Sequence, residues 1–162
     1  NHWVFEDKEG RSRIVGEMCH FFDFFQYITD AKIEKVTVNS ISPANEKEFI
    51  KDNLTIVCTM NNGSVCNLSY YGTGDRGLSR ENIYIFGSGK SVHIDNFSKT
   101  RFYSLKKSFT KTTLGQSIGY KEEITEFVKM IQGQAETQSF EDLCNVMDVC
   151  FTVEDILGGI ET

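Results

Sequence analysis

Proline is almost missing from this chain, basic residues are outnumbered, and no long apolar run occurs. Pro43 stands alone, so a proline-rich linker is excluded. No apolar stretch approaches the roughly 20 residues that cross a bilayer as a helix, so no membrane span is expected. The opening Asn1-His2-Trp3-Val4-Phe5-Glu6-Asp7 has neither the basic start nor the apolar stretch of a signal peptide. It also lacks a Met and reads as a cut into a longer protein. The five cysteines include no CxxC spacing, which argues against both a disulfide framework and a zinc site. Lys and Arg number 17 against 23 Asp and Glu, for a net charge of −6. The basic residues are scattered, and Lys106-Lys107 is too short for a patch, so nucleic-acid binding is excluded as a function class.

What remains is the composition of a globular protein. Of 162 residues, 40% are hydrophobic and 25% charged, with 13 Phe and 6 Tyr, enough for one domain with a dense aromatic core. Phe21, Phe24, Phe25 and Ile28 recur at three- and four-residue steps and predict a helix over Glu17 to Thr29. Ile33, Val36, Val38 and Ile41 then form a β-branched run ending at Pro43.

Asp52 to Met60 and Ser64 to Gly72 alternate around Asn61-Asn62-Gly63 and predict a hairpin. Its apolar face carries Leu54, Ile56, Cys58, Met60, Cys66, Leu68 and Tyr70; its mixed face ends in Tyr71. The register sets Cys58 opposite Cys66. A cross-strand disulfide is open there, but reduced buried thiols are the expectation for a cytoplasmic protein.

Strands are further predicted over Asn82 to Gly87, Lys90 to Asp95, Thr100 to Leu105 and Lys107 to Lys111. Two helices close the chain. Tyr120 to Gln132 carries an Ile124, Phe127, Val128, Ile131 stripe. The last helix follows Ser139 and ends at Gly158-Gly159, with Leu143, Val146, Met147, Cys150, Val153 and Leu157 on its inner face. Strands grouped between terminal helices predict an α+β fold, an open and mostly antiparallel (mixed) sheet with helices on one face.

Two local patterns invite chemistry. Gly72-Thr73-Gly74-Asp75-Arg76-Gly77 imitates dinucleotide-binding glycine spacing, but it follows an antiparallel strand and opens no helix, so no cofactor-binding residue is assigned. Glu17, His20 and Asp23 fall on one helical stripe, and a carboxylate beside an imidazole fixes its tautomer and strengthens it as a base. On the residues alone, a surface histidine between two acids is the more economical reading. Tyr70, Tyr71 and Arg76 sit at a strand end and loop, where substrate contacts are common.

The segment Gly10-Arg11-Ser12-Arg13-Ile14-Val15-Gly16-Glu17-Met18-Cys19-His20-Phe21-Phe22-Asp23 resembles a stretch of the Gfo/Idh/MocA oxidoreductases. His2-Trp3-Val4 also resembles one branch of that family. Lys51-Asp52-Asn53, Asn62-Gly63-Ser64-Val65, Ile85-Phe86-Gly87 and Gly89-Lys90 agree in order, so the resemblance covers essentially the whole chain.

The resemblance implies that residues 1–162 form the carboxy-terminal substrate and oligomerisation domain of an NAD- or NADP-dependent dehydrogenase. Its substrate would be a sugar, sugar-nucleotide or cyclitol. The Rossmann domain that holds the cofactor lies outside the chain, which alone should be inactive and bind no cofactor. His20 corresponds to the family's proton-carrying histidine, and this raises its weight. Many members have Asp four residues earlier, where this chain has Gly16; Glu17 is the candidate to replace it. Tyr71 and Arg76 are the candidate substrate contacts, and the open sheet face is the expected homo-oligomer surface. The rival reading is a non-catalytic assembly or ligand-binding α+β module.

Overall fold

A computed structural model describes residues 12–41, 52–75, 77–116, 118–136 and 139–160. His2-Trp3-Val4, Pro43, Lys51 and Arg76 fall outside these. By contact the chain divides into two compact units, Asn1–Thr73 with Gln138–Thr162, and Gly74–Thr137.

The first unit carries the core. A π-helical turn, Ile14–Met18, runs directly into helix α1, Cys19–Thr29. Strands β1 (Ile33–Ser40), β2 (Asn53–Met60) and β3 (Val65–Tyr71) form an antiparallel sheet in that order. In β1 the apolar residues are spaced irregularly, and a shift in register between Ile33 and Lys35 corrects for it. Ile33 meets Met60, while Val36 and Val38 meet Cys58 and Ile56, so all three face the core despite an odd spacing.

The predicted hairpin forms as read. Gly63 takes φ 85°, which glycine adopts without a Cβ clash. Asn62 Oδ1 accepts the Ser64 N–H at 3.0 Å, and Asn62 Nδ2 donates to the Thr29 carbonyl at 2.9 Å. That second bond fastens the turn to the end of α1.

The last helix of the chain, α3 here because a second helix precedes it in the other unit, spans Phe140–Ile160. It continues through Gly158-Gly159 rather than stopping there, because helical backbone needs no side chain to propagate once it is begun. Its Asn145 side chain both donates to the Ile33 carbonyl and accepts the Ile33 N–H, each at 3.1 Å. The amide thus acts as a short substitute strand beside the bulge in β1. Ile14, Met18, Phe22, Ile56, Cys58, Cys150, Val153 and Leu157 are all fully buried between these helices and the sheet. Val65 and Tyr71, on the other sheet face, are 60% and 59% exposed. The helices lie on one face, as expected.

The second unit is a meander of β4 (Asn82–Gly87), β5 (Lys90–Asp95), β6 (Lys99–Ser104) and β7 (Ser108–Thr112), followed by α2, Tyr120–Ile131. The run of strands foreseen in the sequence is therefore shared between a three-stranded and a four-stranded sheet. Ser88 and Gly89 both take positive φ at the β4–β5 turn, the geometry a tight hairpin requires. No described residue of this unit is fully buried. The α2 stripe forms, but Ile124, Phe127 and Ile131 are 58 to 70% exposed. No described helix is long and apolar enough to cross a membrane.

The hairpin also decides the question of the disulfide. The Met60 N–H bonds to the Ser64 carbonyl and the Gly72 N–H to the Asp52 carbonyl, so Cys58 and Cys66, an even number of residues away, form a hydrogen-bonded pair. Such pairs hold their Cβ atoms near 5.5 Å, whereas a disulfide needs about 3.8 Å. Both cysteines are free thiols, and burial pushes Cys58 up to about 12. Thiol titration of unfolded, unreduced protein should count all five cysteines; a count two lower would contradict this register. Ile56→Ala should lower stability by about 2–5 kcal/mol in urea unfolding, since a buried cavity is left behind.

Candidate functional site

Arg13 is the hub of a half-buried polar cluster. It stands one residue before the π-helical turn, and its Nη1 pairs with Glu17 Oε1 four residues on. The same nitrogen lies 3.4 Å from the Tyr70 hydroxyl, and its Nε donates to Asp52 Oδ2 at 3.3 Å. Tyr70 in turn donates to Glu17 Oε2. One cation is thus shared among two carboxylates and a phenol, drawn from the helix start, the foot of β2 and the end of β3.

Each group responds to this crowding. Burial pushes Tyr70 up to about 12, helped by its bond to Glu17. Burial also raises Asp52 above the usual carboxylate value; Arg13 opposes this, and Glu17 adds to it. For Arg13, burial pulls down but is outweighed by Tyr70, Glu17 and Asp52, so the guanidinium is held more firmly charged. Among the described residues, the buried Asp52 Oδ1 has no hydrogen-bond partner, a costly state for a carboxylate oxygen.

The π-helical turn is fastened on its other side as well. Ser12 Oγ donates to Glu154 and accepts the Ile14 N–H at 3.1 Å. Cys150 Sγ lies 3.7 Å from the Ile14 carbonyl, the same carbonyl that accepts the Cys19 N–H across the wide turn.

The expected stripe of Glu17, His20 and Asp23 is divided by this arrangement. Glu17 is turned to Arg13 and Tyr70, not to His20. The His20 residue is exposed, and its imidazole meets no hydrogen-bond partner among the described residues. A Cβ added at Gly16 would meet nothing within 4 Å, so there is open space at this position. Tyr71 points to the open face, where its hydroxyl lies 3.1 Å from Thr55 Oγ1. Arg76 is outside the described residues. Arg13, Asp52 and Tyr70 were not foreseen as a cluster; the available signal was Tyr70 at the end of the apolar face, on the same side as the helix.

The glycine-rich loop does not fit a dinucleotide. The Gly72 N–H is committed to the Asp52 carbonyl at 2.7 Å, that of Thr73 to Asn53 Oδ1 at 3.3 Å, and that of Gly77 to Asp75 Oδ1 at 2.8 Å. These amides are taken, and β4 rather than a helix follows. Among the described residues no group of His, Cys, Asp or Glu is placed to hold a metal ion.

No family model matches the chain, and no curated protein matches it by sequence. Solved structures do. The UDP-N-acetylglucosamine 3-dehydrogenase of Acidithiobacillus ferrooxidans is similar over 87% of this chain and 45% of its own, with TM-score 0.68 and 20% identity. An aldose-aldose oxidoreductase of Caulobacter crescentus is similar over 98% and 49%, with TM-score 0.74 and 12% identity. A levoglucosan dehydrogenase, solved with NADH and levoglucosan, is similar over 98% and 52%, with TM-score 0.74 and 14% identity.

The fold is that of half an oxidoreductase chain. The α+β expectation is borne out, and so, at the level of fold, is the resemblance to the carboxy-terminal part of such enzymes. The chain spans about half the length of the structures it matches.

Asp52 yields a prediction with a definite sign. Its folded-state value is raised, so its stabilising contribution is present below the ordinary carboxylate value and is lost as pH rises through the folded one. Asp52→Asn should therefore stabilise the protein at pH 7, and stabilise it less at pH 4. Thermal unfolding at both pH values measures this, and a destabilised variant at pH 7 would refute it.

Proposed function

We propose that this chain is the substrate-side half of a Gfo/Idh/MocA-type dehydrogenase acting on a hydroxyl of a sugar, sugar-nucleotide or cyclitol. The observation that carries the proposal is coverage: nearly all of the chain shares its fold with about half of several oxidoreductases, the three cited being named for a sugar or a sugar-nucleotide. In this reading NAD or NADP is held by a Rossmann domain outside these residues, consistent with the committed amides of the glycine loop. The cofactor supplies hydride chemistry when bound; this chain supplies the proton carrier and the walls of the substrate site.

His20 is the proposed proton carrier. It is exposed on a helix whose start is fixed to both the sheet and α3, so its backbone is held while its imidazole stays accessible. Glu17 supports it by holding that helix start rather than by touching the ring. Tyr71 and Arg76 remain proposed substrate contacts, on the strength of their place at a strand end and in the following loop. The setting proposed is cytoplasmic, with the cysteines reduced.

The proposed assembly is a homo-oligomer through the open sheet face. It is supported by the exposure of Tyr84, Phe86 and Tyr103 on one face of the four-stranded sheet, at 59, 74 and 49%. Apolar surface grouped in this way favours association.

Three measurements test the reading. In the full-length protein His20→Ala should reduce kcat by about a hundredfold without lowering Tm; unaltered turnover would remove His20 from the mechanism. Calorimetric titration of residues 1–162 with NAD and NADP should show no saturable binding, and tight binding would overturn the division of labour. Phe86→Asp should shift the protein to a smaller species in light scattering; an unchanged mass would exclude this face from the interface.

A further inference from the structure

We infer that Arg13, Glu17, Tyr70 and Asp52 form a positioning network that holds the turn Ile14–Met18 in its π register, and thereby sets the direction in which His20 leaves the helix. The inference rests on the proposed role of His20 and adds residues that role does not include.

A π-helical turn is less favourable than an α-helical one and persists where its surroundings fix it. Here the surroundings are explicit. Arg13 precedes the turn and Glu17 lies within it; both are tied to β3 through Tyr70, and Arg13 is tied to the foot of β2 through Asp52. On the opposite side Ser12 and Ile14 are tied to Glu154 and Cys150 of α3. His20 follows the last π residue by two positions. A slip of one residue into α register would turn the following side chains by about 100°. That rotation is enough to move an imidazole from one side of the helix to another.

The buried Oδ1 of Asp52, which has no hydrogen-bond partner among the described residues, gives a second, independent sign. A carboxylate kept at a cost to stability calls for a compensating gain. Its one described ion-pair partner is Arg13, so the gain must pass through the guanidinium to the turn.

The test uses the full-length protein with Tyr70→Phe, Glu17→Gln and Asp52→Asn, and with His20→Ala as reference. Residue-resolved amide exchange should show the Cys19 N–H, which closes the π turn on the Ile14 carbonyl, exchanging about tenfold faster in Tyr70→Phe and Glu17→Gln. Amides in β2 should be unchanged, which separates loss of register from loss of the fold. In the same variants kcat should fall about tenfold with KM unaltered, as expected for a group acting through another on the chemical step. Asp52→Asn should lower kcat while raising Tm, a pairing that a merely structural residue does not give.

Unchanged exchange at Cys19 overturns the network whatever the activity shows. Faster exchange with normal kcat, in an enzyme that His20→Ala disables, overturns the positioning role. If His20→Ala itself turns over normally, the proposed function of His20 fails, and the exchange data alone decide whether the network holds the register.

Discussion

A single guanidinium serves two carboxylates and a phenol, and in doing so joins three stretches of chain that are far apart in sequence. Arg13 is where the start of the first helix, the foot of β2 and the end of β3 are brought under one electrostatic constraint. The apolar core alone would place α1 over the sheet, because Phe22 and Met18 have nowhere else to be buried. Whether the helix start is wound as an α or a π turn is a finer choice. The polar cluster makes that choice, because hydrogen bonds are directional where burial is not.

The first unit was readable in the sequence because its signals are local and agree with one another. Alternation in β2 and β3, the Asn-Asn-Gly turn and the stripe on α1 each point to the same buried face. Even the irregular spacing of Ile33, Val36 and Val38 had a structural answer in a bulge. The cluster around Arg13 was not readable, since its members are separated by up to 57 positions and no periodicity links them. The helical stripe of Glu17, His20 and Asp23 misled in one respect. It assumed regular α geometry, and the π turn breaks the phase between Glu17 and His20. The division of the strands into two sheets was also hidden, because the pattern of a strand says which face is apolar but not which neighbours it will have.

The end of the last helix shows the same limit from another side. Gly158-Gly159 looked like a stop, yet helix propagation from a long preceding segment carries through. Local punctuation is decisive at turns such as Gly63, where φ must be positive, and weak where the backbone is already committed.

The second unit has a consequence for the order in which the molecule comes apart. Its four strands are joined by short connections, so they can pair quickly and reversibly. With no fully buried described residue, however, they have little apolar burial to resist opening. Protease attack and slow breathing should therefore enter through β4 to β7 while the first unit stays shut. Covering the exposed Tyr84, Phe86 and Tyr103 would therefore add more rigidity to these strands than any contact could add to the first unit.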